Sequence, residues 1–445
     1  MRRIATLAWL LLVAGCGQEL VCPSDQVACG GHCAALATDP ASCGACGHAC
    51  AADEACHAGT CARCASFCGA GRCVGRVCHA DVEVACFTTD EVRGVTLALE
   101  AAGPPWAVDD GPISLAPSGG ATWVAHALAT TLLGLRPDLA LPLRVVLGGS
   151  DLESVRPFGD LLAVSDSGAG TLVVVDPAAP AVVDEVSLAV KSGDFPNPLG
   201  AAFAGTRGYL ALYGTASASP GPSFAEAQQI AVVDLSASAT CQSPPCGTVV
   251  ARIGLDVPPG PSTPGTYDPP GFPFPSRALA VEEPPGRFRV FVTLANLGEA
   301  CHPDFGCFYT VPAGNGRLAV VDTAAGDALT AVDLGAGCLN PGGLAALGTT
   351  VWVACGGSGT ILPVDVSGTT PSVGAALALP APAGSFGFVP GNLAFCGGWG
   401  FVTDQFSGTI ARFDPAGPAP VTTREVCPVD PIAGFAWAAD VACGP

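Results

Sequence analysis

Residues 39–50, DPASCGACGHAC, place Cys43, Cys46, His48 and Cys50 within one short stretch. Cysteine and histidine at such spacing are the ligand types of a structural zinc site. Covalent haem attachment instead needs C-x-x-C-H, and Cys46 is followed by a glycine. The third possibility is a set of disulfide bonds, which form in an oxidising compartment. The choice between zinc and disulfides therefore depends on whether the chain is exported.

The start of the chain predicts export. Arg2 and Arg3 precede an apolar run over residues 4–15, which suits a signal peptide and is shorter than the ~20 residues of a membrane-spanning helix. Residues 13–16, VAGC, resemble the lipobox of bacterial lipoproteins. The resemblance implies removal of residues 1–15, lipidation of Cys16 and a membrane anchor of acyl chains. An ordinary secretory signal is the alternative. In that family an aspartate after the cysteine marks the inner membrane, so Gly17 favours the outer membrane.

The cysteine count favours disulfides over zinc. The chain has 23 cysteines; without Cys16 an even number remains, with twelve from Cys22 to Cys78 and ten from Cys86 to Cys443. Dense, even-numbered cysteines in an exported chain indicate a disulfide framework. We therefore predict a disulfide-rich module over residues 16–80, with no bound metal or cofactor.

The stretch 22–61 resembles the cysteine-rich module of plant stigma-specific proteins and their bacterial lipoprotein relatives. The matching elements are CGGHC and DPASCGACGHAC, and the pattern ends in a short C-x-x-G-x-C hairpin at 56–61. Ser42 departs from the asparagine that is usual in the family. The resemblance implies a small secreted module and no particular reaction.

The composition points to an all-β protein. Glycine and proline number 58 and 41, only 13% of residues are charged, and a hydrophobic content of 49% argues against disorder. The formal net charge is −20, with 18 Lys+Arg against 38 Asp+Glu, so the chain would repel phosphate backbones. Nucleic acid is therefore excluded as a partner.

From residue 81 onwards the chain repeats a pattern of strand, small-residue turn, and a second strand that ends in aspartate. LAVSDSGAGTLVVVD (162–176) and LAVVDTAAGDALTAVDL (318–334) carry it. The spacing of these aspartates is that of four-stranded propeller blades, and a turn role accounts for them because aspartate accepts backbone N–H bonds. Seven aspartates predict a seven-bladed β-propeller over 81–445: Asp90, Asp138, Asp176, Asp234, Asp322, Asp365 and Asp414.

The repeats resemble those of the YVTN propellers, a bacterial superfamily that includes YncE-like periplasmic proteins. The superfamily contains binding proteins and some hydrolases, so the resemblance implies a fold and no activity. We expect the last blade to be shared, with two inner strands from 432–444 and two outer strands from 82–99. Spacing predicts the disulfides Cys338–Cys355, Cys241–Cys246 and Cys301–Cys307, and by analogy Cys427–Cys443, with Cys86–Cys443 as the rival.

Three long insertions, 215–229, 256–276 and 296–316, fall in blades three and four on one predicted face. Aromatic side chains on rigid loops favour recognition, and we predict a lipid-anchored protein that binds a protein or glycan there. Three alternatives remain open beside it. The aromatics could form a packed lid, the channel could hold a metal in a lactonase- or esterase-like hydrolase, or the protein could have a purely structural role in the cell envelope. No catalytic residue is predicted. The candidate binding residues are Phe224, Tyr267, Phe272, Phe274, His302, Asp304, Phe305, Phe308 and Tyr309.

Overall fold

The computed structural model describes the chain from Cys22 to Pro445 with gaps. The gaps are 23–25, 31, 35, 37–38, 40, 52–53, 58, 64–71, 75–76, 137–138, 140, 150, 191–195, 214–227, 256–272, 303–305, 313, 383–384, 386 and 418–419. Only the backbone is described at 32, 55, 57, 72–74, 77–78, 298–302 and 306–312. The chain forms two compact units, Met1–Phe67 and Cys68–Pro445.

The first unit consists of two hairpins held by disulfides. Val27–Cys29 pairs with His32–Ala34, and Glu54–His57 pairs with Thr60–Arg63. All eight cysteines of the 22–61 stretch are bonded within it, so these sulfurs are disulfides and not zinc thiolates. Cys56 and Cys61 face each other in the second hairpin, yet each bonds to a residue outside it. The four pairs are Cys22–Cys33, Cys29–Cys46, Cys43–Cys56 and Cys50–Cys61.

The second unit is a seven-bladed β-propeller, as predicted. A hairpin of Arg72–Val74 and Val77–His79 precedes it. Each blade is an antiparallel sheet of strands a to d, counted outwards, and the seven a strands contact one another in a closed ring.

The blades have the following strands. Blade 1 is Pro112–Ser118, Ala121–His126, Thr131–Leu135 and Leu143–Val146; blade 2 is Leu152–Phe158, Leu161–Asp166, Thr171–Asp176 and Ala181–Ser187; blade 3 is Pro198–Ala204, Arg207–Leu212, Gln229–Asp234 and Thr248–Gly254; blade 4 is Pro275–Glu282, Phe288–Leu294, Arg317–Asp322 and Ala328–Asp333; blade 5 is Pro341–Leu347, Thr350–Cys355, Thr360–Asp365 and Ser372–Val373; blade 6 is Pro390–Cys396, Trp399–Asp404, Thr409–Phe413 and Thr422–Glu425; blade 7 is Ala438–Cys443, Val82–Cys86, Glu91–Val95 and Trp106–Ala107.

Short elements fill some connections. Leu377–Ala378 adds to strand c of blade 5, and Leu297–His302 with Gly306–Pro312 forms a hairpin between strands b and c of blade 4. The helices of the described chain are single 3₁₀ turns at Phe87–Thr89, Ser238–Thr240 and Thr323–Ala325. None of the described helices is long and apolar enough to cross a membrane.

Blade 7 closes the ring with both ends of the propeller chain, but not in the expected proportion. The C-terminal segment supplies only the innermost strand, Ala438–Cys443, and the segment after residue 81 supplies the other three. The prediction of two strands from each end was therefore wrong. Closure leaves the first and last strands hydrogen-bonded to each other, and the innermost strand is buried against the a strands of blades 6 and 1.

The core lies between neighbouring blades. Strands b and c are apolar without alternation because both of their faces pack against adjacent sheets, as in TLVVVD at 171–176. Trp123, Tyr209, Phe291 and Phe401 are fully buried in these interfaces.

The aspartates that end strand c have the predicted turn role in five blades. In each, Oδ1 accepts the N–H two residues further on, at 2.8–3.1 Å. Asp90 does not belong to this set, because it lies between strands b and c of blade 7. Asp138 lies outside the described residues. The five are Asp176, Asp234, Asp322, Asp365 and Asp414.

The disulfides of the ring include two of the expected pairs, Cys241–Cys246 and Cys338–Cys355. Cys427–Cys443 and its rival Cys86–Cys443 are both wrong: the bonds are Cys86–Cys427 and Cys396–Cys443. The reason is that Ala438–Cys443 is strand a of blade 7 and not strand b. Strand b of that blade is Val82–Cys86, so Cys86, and not Cys443, is the cysteine at the end of strand b that bonds to Cys427. Cys301 and Cys307 are opposite each other in the backbone register of their hairpin, and their disulfide stays a prediction.

Candidate functional site

The connections from strand b to c, and from d to the next strand a, open on the same face of the propeller, which we call the loop face. The three long insertions belong to this face, because they connect strands b and c in blades 3 and 4 and lead from blade 3 into blade 4. Turns from a to b, on the opposite face, are as short as Gly119 and Gly120 in blade 1.

Of the nine predicted binding residues, five lie outside the part of the chain that the structure describes: Phe224, Tyr267, Phe272, Asp304 and Phe305. The backbone of the blade 4 hairpin carries the remaining loop residues, which are His302, Phe308 and Tyr309.

Phe274 is fully buried and is not displayed for binding. Its ring packs against Tyr213, Ala295 and Leu297, with ring centroids of Phe274 and Tyr213 4.8 Å apart. The Phe274 N–H also donates to Oε1 of Gln228 at 2.6 Å. For this residue the structure agrees with the inward-packed alternative, and its prediction as an exposed binding residue was wrong.

The loop face carries a groove between blades 5 and 6. Its volume is about 760 Å³, within the usual range of ligand sites. The floor includes the glycine-rich turn at 356–359 and the buried ring of Phe388. Phe406 and Phe435 line it with 66% and 43% of their surface exposed, and Glu425 is the one charged residue among the described residues of its lining.

A compact turn before blade 7 presents further apolar surface beside the groove. Asp430 holds this turn, since its Oδ1 accepts the N–H of Ile432 at 2.6 Å and of Ala433 at 2.7 Å. As a result Ile432 is 95% exposed and Val429 is 54% exposed. Val429 lines the same groove as Phe406 and Phe435, and exposed apolar patches of this kind mark interaction surfaces. Ile432 was missed from sequence because residues 432–444 were predicted to form two inner strands, whereas the strand begins only at Ala438.

The central channel carries a second set of functional groups. Every strand a has a bulge after its first residue, and a bulge re-aims the side chain that follows it. The third residue of each strand a forms what we call the channel ring. Its members are Ser114, Ser154, Gly200, Arg277, Gly343, Asn392 and Asp440.

The channel ring joins neighbouring blades. Asp440 of blade 7 accepts the Leu115 N–H of blade 1 at 2.8 Å, and Ser114 accepts the Val155 N–H of blade 2 at 3.3 Å. Gly343 has no room for a side chain, since a Cβ there would lie 2.3 Å from the Gly391 carbonyl oxygen. The ring positions thus combine close backbone packing with polar contacts.

Four charged side chains in this region influence one another. Burial raises the pKa of Glu153 to about 7, although the Arg277 charge acts to lower it. Burial also raises the pKa of Asp440, against the opposing charge of Arg156. No ion pair within 4.0 Å connects either arginine to Glu153 or Asp440, all four being described residues.

The described residues of the channel do not favour a bound metal ion. The guanidinium groups of Arg156 and Arg277 act on the same acids that a cation would need, and both of Asp440's oxygens already accept backbone N–H bonds. His126 lies elsewhere, at the end of strand b of blade 1. It is fully buried with Nδ1 2.9 Å from the Thr131 carbonyl oxygen, as a core histidine would be.

Comparison with known proteins supports the fold and nothing narrower. No family model matches the chain, and no curated protein is similar to it in sequence. Similar solved structures include a protein from Lactobacillus plantarum at 13% identity, which covers 81% of this chain and 98% of its own, with a TM-score of 0.53. A putative 6-phosphogluconolactonase from Bacteroides uniformis is 10% identical, with the same coverage and a TM-score of 0.52. Streptogramin B lyase is 11% identical, covering 75% of this chain and 92% of its own, with a TM-score of 0.50.

Proposed function

We propose that the protein is a lipid-anchored binding protein of the cell envelope, tethered through Cys16 in the outer membrane, which captures a protein partner on its loop face. The observation that carries the proposal is the apolar groove of blades 5 and 6, lined by the exposed rings of Phe406 and Phe435. The insertions of blades 3 and 4 belong to the same face and would extend the surface.

The chemistry of the groove favours a protein over a glycan. Exposed phenylalanine and isoleucine side chains gain free energy by burial against apolar side chains, at about 25 cal/mol per Å². Of the described residues that line the groove, Glu425 alone is charged, and the chain carries a formal charge of −20. A partner with apolar side chains and a neutral or positive surface is therefore complementary.

The alternative of a lactonase- or esterase-like hydrolase with a metal in the channel is not supported by the channel residues. Two arginines replace the ring of unopposed acids that such a metal would need. Turnover of a lactone panel that depends on added Ca²⁺ would restore this alternative.

The test is partner capture by the full-length lipidated protein in its own cells after cross-linking. The triple variant Phe406→Ser, Ile432→Ser, Phe435→Ser removes the exposed apolar side chains of the loop face. The matched control, Leu347→Ser with Val250→Ser, removes exposed apolar side chains outside it. We expect loss of the captured partner for the triple variant and retention for the control.

A separate variant replaces 256–272 by a short glycine-serine turn. It leaves Phe274 in place, because this buried side chain belongs to the fold and not to the binding surface. Unchanged capture by both loop-face variants would refute the proposal.

A further inference from the structure

We propose that the central channel binds a small oxyanion, a carboxylate or phosphate group, between the guanidinium groups of Arg156 and Arg277. This site is independent of partner capture on the loop face.

Arg277 reaches across the channel wall. It belongs to strand a of blade 4, yet its Nη1 donates to the Leu199 carbonyl oxygen of blade 3 at 3.0 Å. Its Nε donates to Oδ1 of Asn392 in blade 6 at 3.3 Å, which passes over blade 5. Blade 5 permits this because its channel-ring residue is Gly343. The guanidinium group is thus fixed among inner strands of non-adjacent blades, which defines its place in the channel.

Arg156 is held in the same manner from blade 2. Its Nη1 donates to the Ser114 hydroxyl oxygen at 3.2 Å and to the Val155 carbonyl oxygen at 2.8 Å. In both arginines Nη1 is engaged, whereas Nη2 has no acceptor among the described residues. Neither arginine forms an ion pair with a described acid, so each keeps a charge and a donor edge available.

The nearby acids do not neutralise these charges by contact. Asp440 directs Oδ2 to the Leu115 N–H at 2.8 Å and Oδ1 to the Val441 N–H at 2.9 Å. Glu153 makes no hydrogen bond to a described residue, and the charged groups that act on it are Arg277 and Asp151. Its carboxyl group is thus free to donate a proton to a bound anion when protonated and to repel the anion when ionised.

These features select the class of ligand. Guanidinium groups recognise planar carboxylate and tetrahedral phosphate oxygens through paired N–H donors. Arg156 and Arg277 sense each other's charge, since Arg277 acts to lower the pKa of Arg156. An oxyanion between them would relieve that repulsion, which a neutral sugar or a cation would not do.

The test is isothermal titration of the full chain with inorganic phosphate, succinate and chloride at pH 6. We expect saturable binding of phosphate or succinate and none of chloride. Comparison of the two affinities shows whether the site prefers a phosphate or a carboxylate group. Arg277→Gln and Arg156→Gln should each weaken binding at least tenfold. Arg424→Gln is the matched control, because this exposed arginine lies on strand d of blade 6 and outside the channel.

A second variant keeps the test valid if the arginine variants fail to fold. Glu153→Gln removes a carboxylate that the channel buries and should tighten binding of the same anion at least threefold at pH 8. Saturable binding that is unchanged in the folded arginine variants, or in Glu153→Gln, would overturn the proposal. Absence of binding by the parent chain to both oxyanions would overturn it as well.

Discussion

Cys86 and Cys427 are bonded to each other across a sequence separation of 341 residues. Cys86 ends strand b of blade 7, and Cys427 lies in the loop that leads into the same blade. Cys355 and Cys338 have the same relation in blade 5. The same arrangement of the two cysteines therefore forms a local disulfide in blade 5 and, in blade 7, a disulfide that joins the two ends of the ring.

Removal of the long-range bond should cost more stability than removal of its local counterpart. Cross-linking lowers the entropy of the unfolded chain by an amount that grows with the logarithm of loop length, so we expect Cys86→Ala with Cys427→Ala to lower the free energy of unfolding by about 6 kcal/mol. Cys338→Ala with Cys355→Ala, a separation of 17, should lower it by about 3 kcal/mol. Denaturant titration measures both, and equal losses would contradict the entropic explanation.

Asp184 should stabilise the junction of blades 2 and 3 at neutral pH. It is fully buried and accepts the Cys246 N–H at 2.9 Å and the Gly247 N–H at 2.8 Å, beside the Ser238 hydroxyl. Burial acts to raise its pKa, but these hydrogen bonds together lower it. Because the folded-state pKa is depressed, the contribution is present above the unfolded pKa near 4 and is lost as pH falls through the folded pKa.

We therefore expect Asp184→Asn to lower the free energy of unfolding by about 3 kcal/mol at pH 7 and by much less at pH 3. Thermal denaturation at the two pH values gives the comparison. Asp176→Asn is the control, since that aspartate has a single backbone contact in an exposed turn. A loss of the same size at both pH values would show that packing, not charge, accounts for the effect of Asp184→Asn.

Glu83 should make stability fall between pH 5 and 7. This residue is 6% exposed between blades 7 and 1. Burial raises the pKa of Glu83 to about 7, and the opposing effect of the Thr122 hydroxyl is smaller. The folded state holds the proton over this range while the unfolded state releases it, so rising pH favours unfolding by up to about 3 kcal/mol. Glu83→Gln should abolish this slope, whereas Glu185→Gln, on an exposed strand, should keep it. The free energy of unfolding at several pH values is the measurement; a slope that persists in Glu83→Gln would assign it to other groups.

Gly408 is required by both its backbone and its neighbours. Its φ is +65°, and a Cβ there would lie 2.4 Å from the Cys427 carbonyl oxygen. We expect Gly408→Ala to lower the free energy of unfolding by more than about 2 kcal/mol. Gly120→Ala is matched, since its φ is +73° with nothing within 4 Å of a Cβ, and should cost only about 1 kcal/mol. Equal losses of unfolding free energy for the two variants in denaturant titration would show that the close approach of Gly408 to Cys427 does not affect stability.

The blades could be predicted from sequence because one turn is repeated. Asp176, Asp322 and Asp365 perform the same hydrogen bond at the same place, so their spacing counts sheets directly. The same method failed in blade 7, where Asp90 occupies a different turn and its strands come from distant parts of the chain.

The channel site and the groove could not be predicted in this way. Arg156, Arg277 and Asn392 belong to the inner strands of three different blades, and only ring closure brings them together. These residues share a position at or near the bulge of strand a. That position can be identified only when the register between strands a and b is known. The exposed Ile432 depends on a turn fixed by Asp430, and no periodicity encodes that.

The first and last strands of the propeller chain are hydrogen-bonded neighbours, and the Gly444 N–H donates to the Asp81 carbonyl oxygen at 3.0 Å. The ends of the ring are thus already side by side. A circular permutant that joins residue 445 to residue 81 and opens at the Gly119–Gly120 turn would keep every blade intact. In such a rearranged chain, the new termini would lie at the turn where the chain is opened. Other domains could then be attached at a turn of any chosen blade.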